Sequence, residues 1–216
     1  MKMSIALIVA AGLATGASAQ VITGYDIVDA AESGGGGWGH TYSGTITSTG
    51  TDTANSVPFN IANYSNAGSG TLNDGGTNDG TGNAMLFGQT SNTRPSITLY
   101  LDGTYFIDEI TIWGFDGGNS IPGNIDGFDA TVNGNTAQVF GTEVATNDLV
   151  TALAGSGLDG FAASSITLNN FVLEGQSGWT EVFSISEISI VGRPIPAPGA
   201  FALLGLGGLA AARRRR

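Results

Sequence analysis

Few side chains in this chain could do chemistry, and most of those could only donate oxygen. The stretch Asn73-Asp74-Gly75-Gly76-Thr77-Asn78-Asp79 sets carboxylate and amide oxygens on a glycine-rich turn. Hard oxygen donors on a tight turn suit calcium. The spacing is not that of an EF-hand, because Gly76 and Met85 stand where that loop needs ligands. The bland alternative is that Asp74 and Asp79 only cap turns. Sugar binding needs an aromatic face beside polar groups. Trp38 and His40 lie in a glycine-rich stretch, and Trp179 lies in Gly175-Gln176-Ser177-Gly178-Trp179-Thr180, so all three are candidates. Packing over a sheet edge is the competing use for each tryptophan. Catalysis finds little support: His40 is the one histidine and has no evident acid partner in the sequence. The adjacent Asp108 and Glu109 point to opposite faces of a strand and cannot form a glycosidase pair. Gly34 to Gly37 lacks the lysine and helix of a phosphate loop. The chain reads as non-enzymatic.

The elements that would position these residues are strands. Ile97, Leu99 and Leu101 alternate with polar residues, as do Ile110 with Ile112, and Phe128 with Ala130 and Val132. Further strands are expected at 44–49, 138–141, 165–168, 171–174 and 187–191. Turns are expected at Leu101-Asp102-Gly103, Asp116 to Asn119, Ile121 to Asn124 and Val132 to Asn135. One helix-like segment covers 146–154, and 33–83 reads as long Gly-rich loops with one or two edge strands. Phe183 and Ile185 share one parity and Ile188 and Ile190 the other. That phase break marks a bulge or strand start where Glu187 can point somewhere other than solvent or core. Together these patterns predict an all-β, antiparallel jelly-roll sandwich over 20–192.

With 216 residues, 35 of them glycine, and no cysteine, the chain can build one core but no disulfide or thiol site. Between the ends, Arg94 and Arg193 are two bases against 18 acidic residues, a net charge of −16. Such a surface attracts cations and repels phosphate backbones, which excludes nucleic acid as a partner.

Both ends read as addresses. Lys2, an apolar run from Ile5 to Leu13, and the small-x-small triplet Ala17-Ser18-Ala19 predict a signal helix over 1–19, cut by signal peptidase before Gln20. At the other end, 199–212 is a run of 14 uncharged residues followed by Arg213, Arg214, Arg215 and Arg216. As a helix it would reach only ~21 Å against a ~30 Å hydrocarbon core. That suits transient inner-membrane insertion with the arginines held at the cytoplasmic face, an ordinary tail anchor being the alternative. Preceded by Pro194-Ile195-Pro196-Ala197-Pro198, the tail 193–216 resembles the PEP-CTERM sorting signal of exosortase substrates, with Ala197 where the motif usually carries glutamate. The resemblance implies an exosortase-like enzyme acting near Pro196 and Pro198. It also implies tethering before cleavage, and release afterwards to the cell surface or extracellular matrix.

The central region has a second resemblance. TLNDGG at 71–76, ITLYLDGTYFIDEITIWGFD at 97–116, IPGNIDGFDATVNG at 121–134 and SEISIVG at 186–192 are similar to the discoidin, or coagulation-factor type C, domain. That family shares the galactose-binding-like jelly roll with many carbohydrate-binding modules. The resemblance implies a structural calcium held by the Asp-Gly turn and a glutamate of the last strand, here Asp74 and Glu187, with Asn78 and Asp79 beside them. The expected product is an exported carbohydrate-binding module whose partner is an extracellular polysaccharide. The alternative is a matrix component without a specific ligand.

Overall fold

A computed structural model describes residues 18–31, 38–77, 81–115, 122–144, 148–175 and 178–195. The expected signal helix up to Ala17, the ligand candidates Asn78 and Asp79, and the tail from Pro196 through Pro198 to Arg213–Arg216 lie outside them. In chain order the strands are β1 (Ser18–Gln20), β2 (Ile22–Ala31), β3 (Thr45–Ala54), β4 (Val57–Gly68) and β5 (Met85–Gly88). They continue with β6 (Ser96–Trp113), β7 (Ile125–Val132), β8 (Asn135–Phe140), β9 (Thr142–Glu143) and β10 (Asp148–Ala152). The last three are β11 (Ala162–Leu173), β12 (Val182–Ile185) and β13 (Glu187–Pro194). No described helix is long and apolar enough to cross a membrane.

The 18-residue β6 organises the fold. Its first half pairs antiparallel with β2 and β11, and its second half with β13 and β10. Strand order β3-β4-β2-β6-β11-β7-β8 makes one leaf, while β1, β13, β10 and β9 extend the other half of β6. The crossover is a bulge, in which residues 101–104 of β6 lie opposite Ser164 alone. The turn expected at Leu101-Asp102-Gly103 is therefore a corner within one strand. Tyr105 fastens it by donating its hydroxyl to Asp102 Oδ1 at 2.9 Å. The alternating residues Ile97, Leu99, Leu101, Ile110, Ile112, Phe128, Ala130 and Val132 all face one core, with Phe87, Phe171 and Phe183 stacked at its centre.

Three expectations change. The edge strands expected in 33–83 are a long hairpin, in which β3 is the edge and β4 pairs on to β2. The strand expected at 44–49 is the first half of β3; its full length was hidden because nearly every side chain of β3 is exposed, leaving no apolar period to see. Within the helix expected over 146–154, residues Asp148–Ala152 are strand β10, with Leu149 and Thr151 turned inward at 1% exposure or less and Leu153 buried just after it. The separate strands at 165–168 and 171–174 are one strand, β11, interrupted by a register shift where Asn170 takes a left-handed φ of 46°.

The first and last described strands pair in the second leaf. β1 pairs antiparallel with β13, Ala19 opposite Val191, so the expected cleavage junction lies within a ladder beside the strand that leads into the tail.

Candidate functional site

The phase break at Ser186 is a change of sheet. β12 pairs with β5 and β13 with β6, and Glu187 opens β13 opposite Trp113. This places the Glu187 carboxylate against the Asp74 turn, which is built by a short 3₁₀ turn over Thr71–Asn73. Asn73 anchors that turn, with Oδ1 accepting from Gly70 N at 2.9 Å and Nδ2 donating to Ile22 O at 2.8 Å. Asp74 Oδ1 accepts from Gly76 N at 2.8 Å, and the amide of Gly75 donates to Glu187 Oε2 at 2.8 Å. Glu187 is 7% exposed and Asp74 is exposed. Burial pushes the Glu187 carboxyl up to about 7; the Asp74 charge adds to the rise, and the amides of Gly75, Asp74 and Gly76 oppose it.

The structure thus joins Asp74 with Glu187, as the resemblance implied. In charge and donor chemistry the pair fits a hard cation: two carboxylates converge where a turn brings their like charges together. Among the described residues the pair brings two carboxylates toward the six to eight oxygens calcium takes, and part of the Glu187 acceptor capacity already serves the turn amides. Among the described residues no cluster of three or more acidic, histidine or cysteine side chains forms around them.

Trp38 and His40 are half-buried. The Trp38 ring meets Phe115 edge-on, centroids 5.4 Å apart at 83°. The His40 Nε2 lies 2.6 Å from the Tyr64 hydroxyl, in a row of rings that continues through Tyr42 to Tyr25. Burial lowers the His40 pKa, favouring the neutral ring. Both side chains are partners in packing. Asp108 is also engaged, in a bidentate pair with Arg193 at 2.8–3.0 Å.

Trp179 behaves differently, with 46% of its surface exposed. Its loop is nevertheless tied on both sides. Asn124 Nδ2 donates to the Trp179 carbonyl at 2.6 Å and to Val182 O at 2.8 Å. Asn55, at the tip of the β3–β4 hairpin, donates from Nδ2 to Gly178 O at 2.8 Å. Sequence reasoning gave Asn124 only as part of a turn and missed Asn55. The one available signal was an asparagine at each turn, a residue that tolerates left-handed backbone.

No protein-family model matches this chain, and no curated protein matches it. Solved structures do. The lectin domain of Lectinolysin complexed with Lewis B antigen aligns at 12% identity and TM-score 0.42, covering 71% of this chain and 94% of that one. The family 32 CBM from C. perfringens NanJ in complex with galactose aligns at 17% identity and TM-score 0.37, covering 70% and 98%. A Streptococcus pneumoniae fucose binding module aligns at 13% identity and TM-score 0.39, covering 68% and 93%.

Proposed function

We propose that the protein is a non-catalytic carbohydrate-binding module, exported by its N-terminal segment and sorted to the cell surface or matrix by its C-terminal tail. The observation that carries the binding reading is Trp179, a large apolar ring left 46% exposed on a loop whose backbone is hydrogen-bonded from two other elements. A sugar ring stacks on such a face, and the amide and hydroxyl groups of the neighbouring loops can pair with its hydroxyls. Trp38 and His40 support the fold by packing on Phe115 and Tyr64.

Asp74 and Glu187 would hold a structural calcium beside β13, where the ion would neutralise the charge of two carboxylates; the further ligands expected at Asn78 and Asp79 lie outside the described residues. Sorting rests on the three-part tail, with Pro196 and Pro198 in the motif and Arg213, Arg214, Arg215 and Arg216 as the terminal cluster. The test is an array of galactose-, N-acetylgalactosamine- and fucose-terminated glycans, probed with calcium and then with a chelator. Selective, saturable binding supports the module, and its loss on chelation supports the ion. Uniform absence of binding would move the protein to the matrix-component reading.

A further inference from the structure

We infer that Asn55 and Asn124 are positioning residues that hold Trp179 as a rigid, pre-organised stacking platform, so that the β3–β4 hairpin forms part of the ligand site. This inference rests on the carbohydrate reading above. The bonds around Trp179 are numerous for a surface loop. Asn55 Nδ2 donates to Gly178 O at 2.8 Å and to Thr180 Oγ1 at 3.5 Å, and Asn55 Oδ1 accepts from Glu181 N at 3.0 Å. The Asn55 amide in turn donates to Glu181 Oε2 at 2.7 Å. From the other side, Asn124 reaches the carbonyls of Trp179 and Val182, while its Oδ1 accepts from Gly175 N at 3.1 Å. Every residue from Gly178 to Glu181 is therefore bonded to one asparagine or the other.

Both asparagines adopt left-handed backbone, with φ of 48° at Asn55 and 68° at Asn124, a conformation that asparagine tolerates better than most residues. Each turn is thereby shaped to turn a side-chain amide toward the same loop. The residue they frame keeps 46% of its surface exposed, while tryptophan is among the largest apolar side chains a fold can bury. Fixing the backbone while displaying the ring is the arrangement that reduces the ordering cost of binding.

The test uses the full chain labelled with 5-fluorotryptophan, with the Trp179 resonance assigned through Trp179→Phe, and the glycan array named above. Asn55→Gly keeps the left-handed turn and removes the side-chain bonds. Asn124→Asp keeps the Gly175 acceptor and removes the donors to Trp179 and Val182. Each variant is expected to weaken binding roughly tenfold and to move the Trp179 fluorine signal toward that of a freely exposed ring. The Trp38 and Trp113 signals stay in place, which separates positioning from general unfolding. Binding within twofold of the unaltered chain in both variants overturns the inference, as does weakened binding with an unmoved Trp179 signal. Trp179→Ala binding as well as the unaltered chain, or no glycan bound by the unaltered chain, overturns the carbohydrate reading itself and this inference with it.

Discussion

The carboxylate of Glu187 makes a prediction whose sign separates an ion-braced turn from a bare one. In calcium-free protein its pKa rises from an ordinary 4.5 to about 7, led by burial. The folded state then holds this proton more tightly than the unfolded state does. Unfolding between those pH values releases a proton, so stability falls as pH rises through the window. At ~1.4 kcal/mol per pH unit the loss is roughly 3 kcal/mol, or on the order of 6–12 °C in Tm for a chain of this size. His40 works the other way, since its lowered pKa removes stability as pH falls below its ordinary 6.5. The quantity to measure is therefore the difference between the unaltered chain and Glu187→Gln, which cancels His40. In chelator, denaturant titrations from pH 5 to 8 should show the glutamine variant gaining on the unaltered chain as pH rises. With calcium the ionised carboxylate has a partner, and the gain should shrink or reverse. A flat difference across the range in chelator would refute the assignment of a strained buried carboxylate. A difference that calcium leaves unchanged would refute the ion.

Other consequences follow from packing and processing. Phe183 is 2% exposed, stacks on Phe87 at 4.8 Å and meets the tilted ring of Phe171 at 4.5 Å, so Phe183→Ala should cost about 3–5 kcal/mol in urea denaturation. Gly123 has a φ of 63°, and a Cβ there would lie 2.1 Å from the Ser184 carbonyl; Gly123→Ala should therefore cost upwards of ~2 kcal/mol or prevent folding, read by circular dichroism. Mass spectrometry of the protein recovered from its host surface should show an N-terminus at Gln20 and no peptide containing Arg213–Arg216; an intact tail in membrane fractions would instead support a permanent anchor.

How much of this could be read in the sequence depends on which side chains face the core. Ile97, Leu99 and Leu101, or Phe128, Ala130 and Val132, alternate because one face of each strand is buried, and they are buried as that pattern requires. The change of parity between Ile185 and Ile188 likewise marked the passage from one sheet to another, and it led to Glu187. The turn Asn133-Gly134, with both φ positive, was legible for its backbone chemistry. Strand β3 was legible only in its first half, expected at 44–49, since a polar edge strand carries no apolar period, and its pairing with β4 comes from backbone bonds that any sequence can make. β10 was misread because a five-residue strand is too short to separate a period of two from one of 3.6. At the site, Asp74 and Glu187 were found through a resemblance and a phase break. The burial of Trp38 and His40 depended on Phe115 and Tyr64, whose approach is a product of the tertiary fold. The hold of Asn55 on the Trp179 loop spans more than a hundred residues, and no local pattern records it.

The proposed carbohydrate binding by this sandwich centres on Trp179. Its most direct test is a comparison of the unaltered chain with Trp179→Ala on the same glycan array, with folding checked by thermal denaturation. Saturable, selective binding is expected, falling roughly tenfold or more in the variant at nearly unchanged Tm. Equal binding by the two proteins would contradict it.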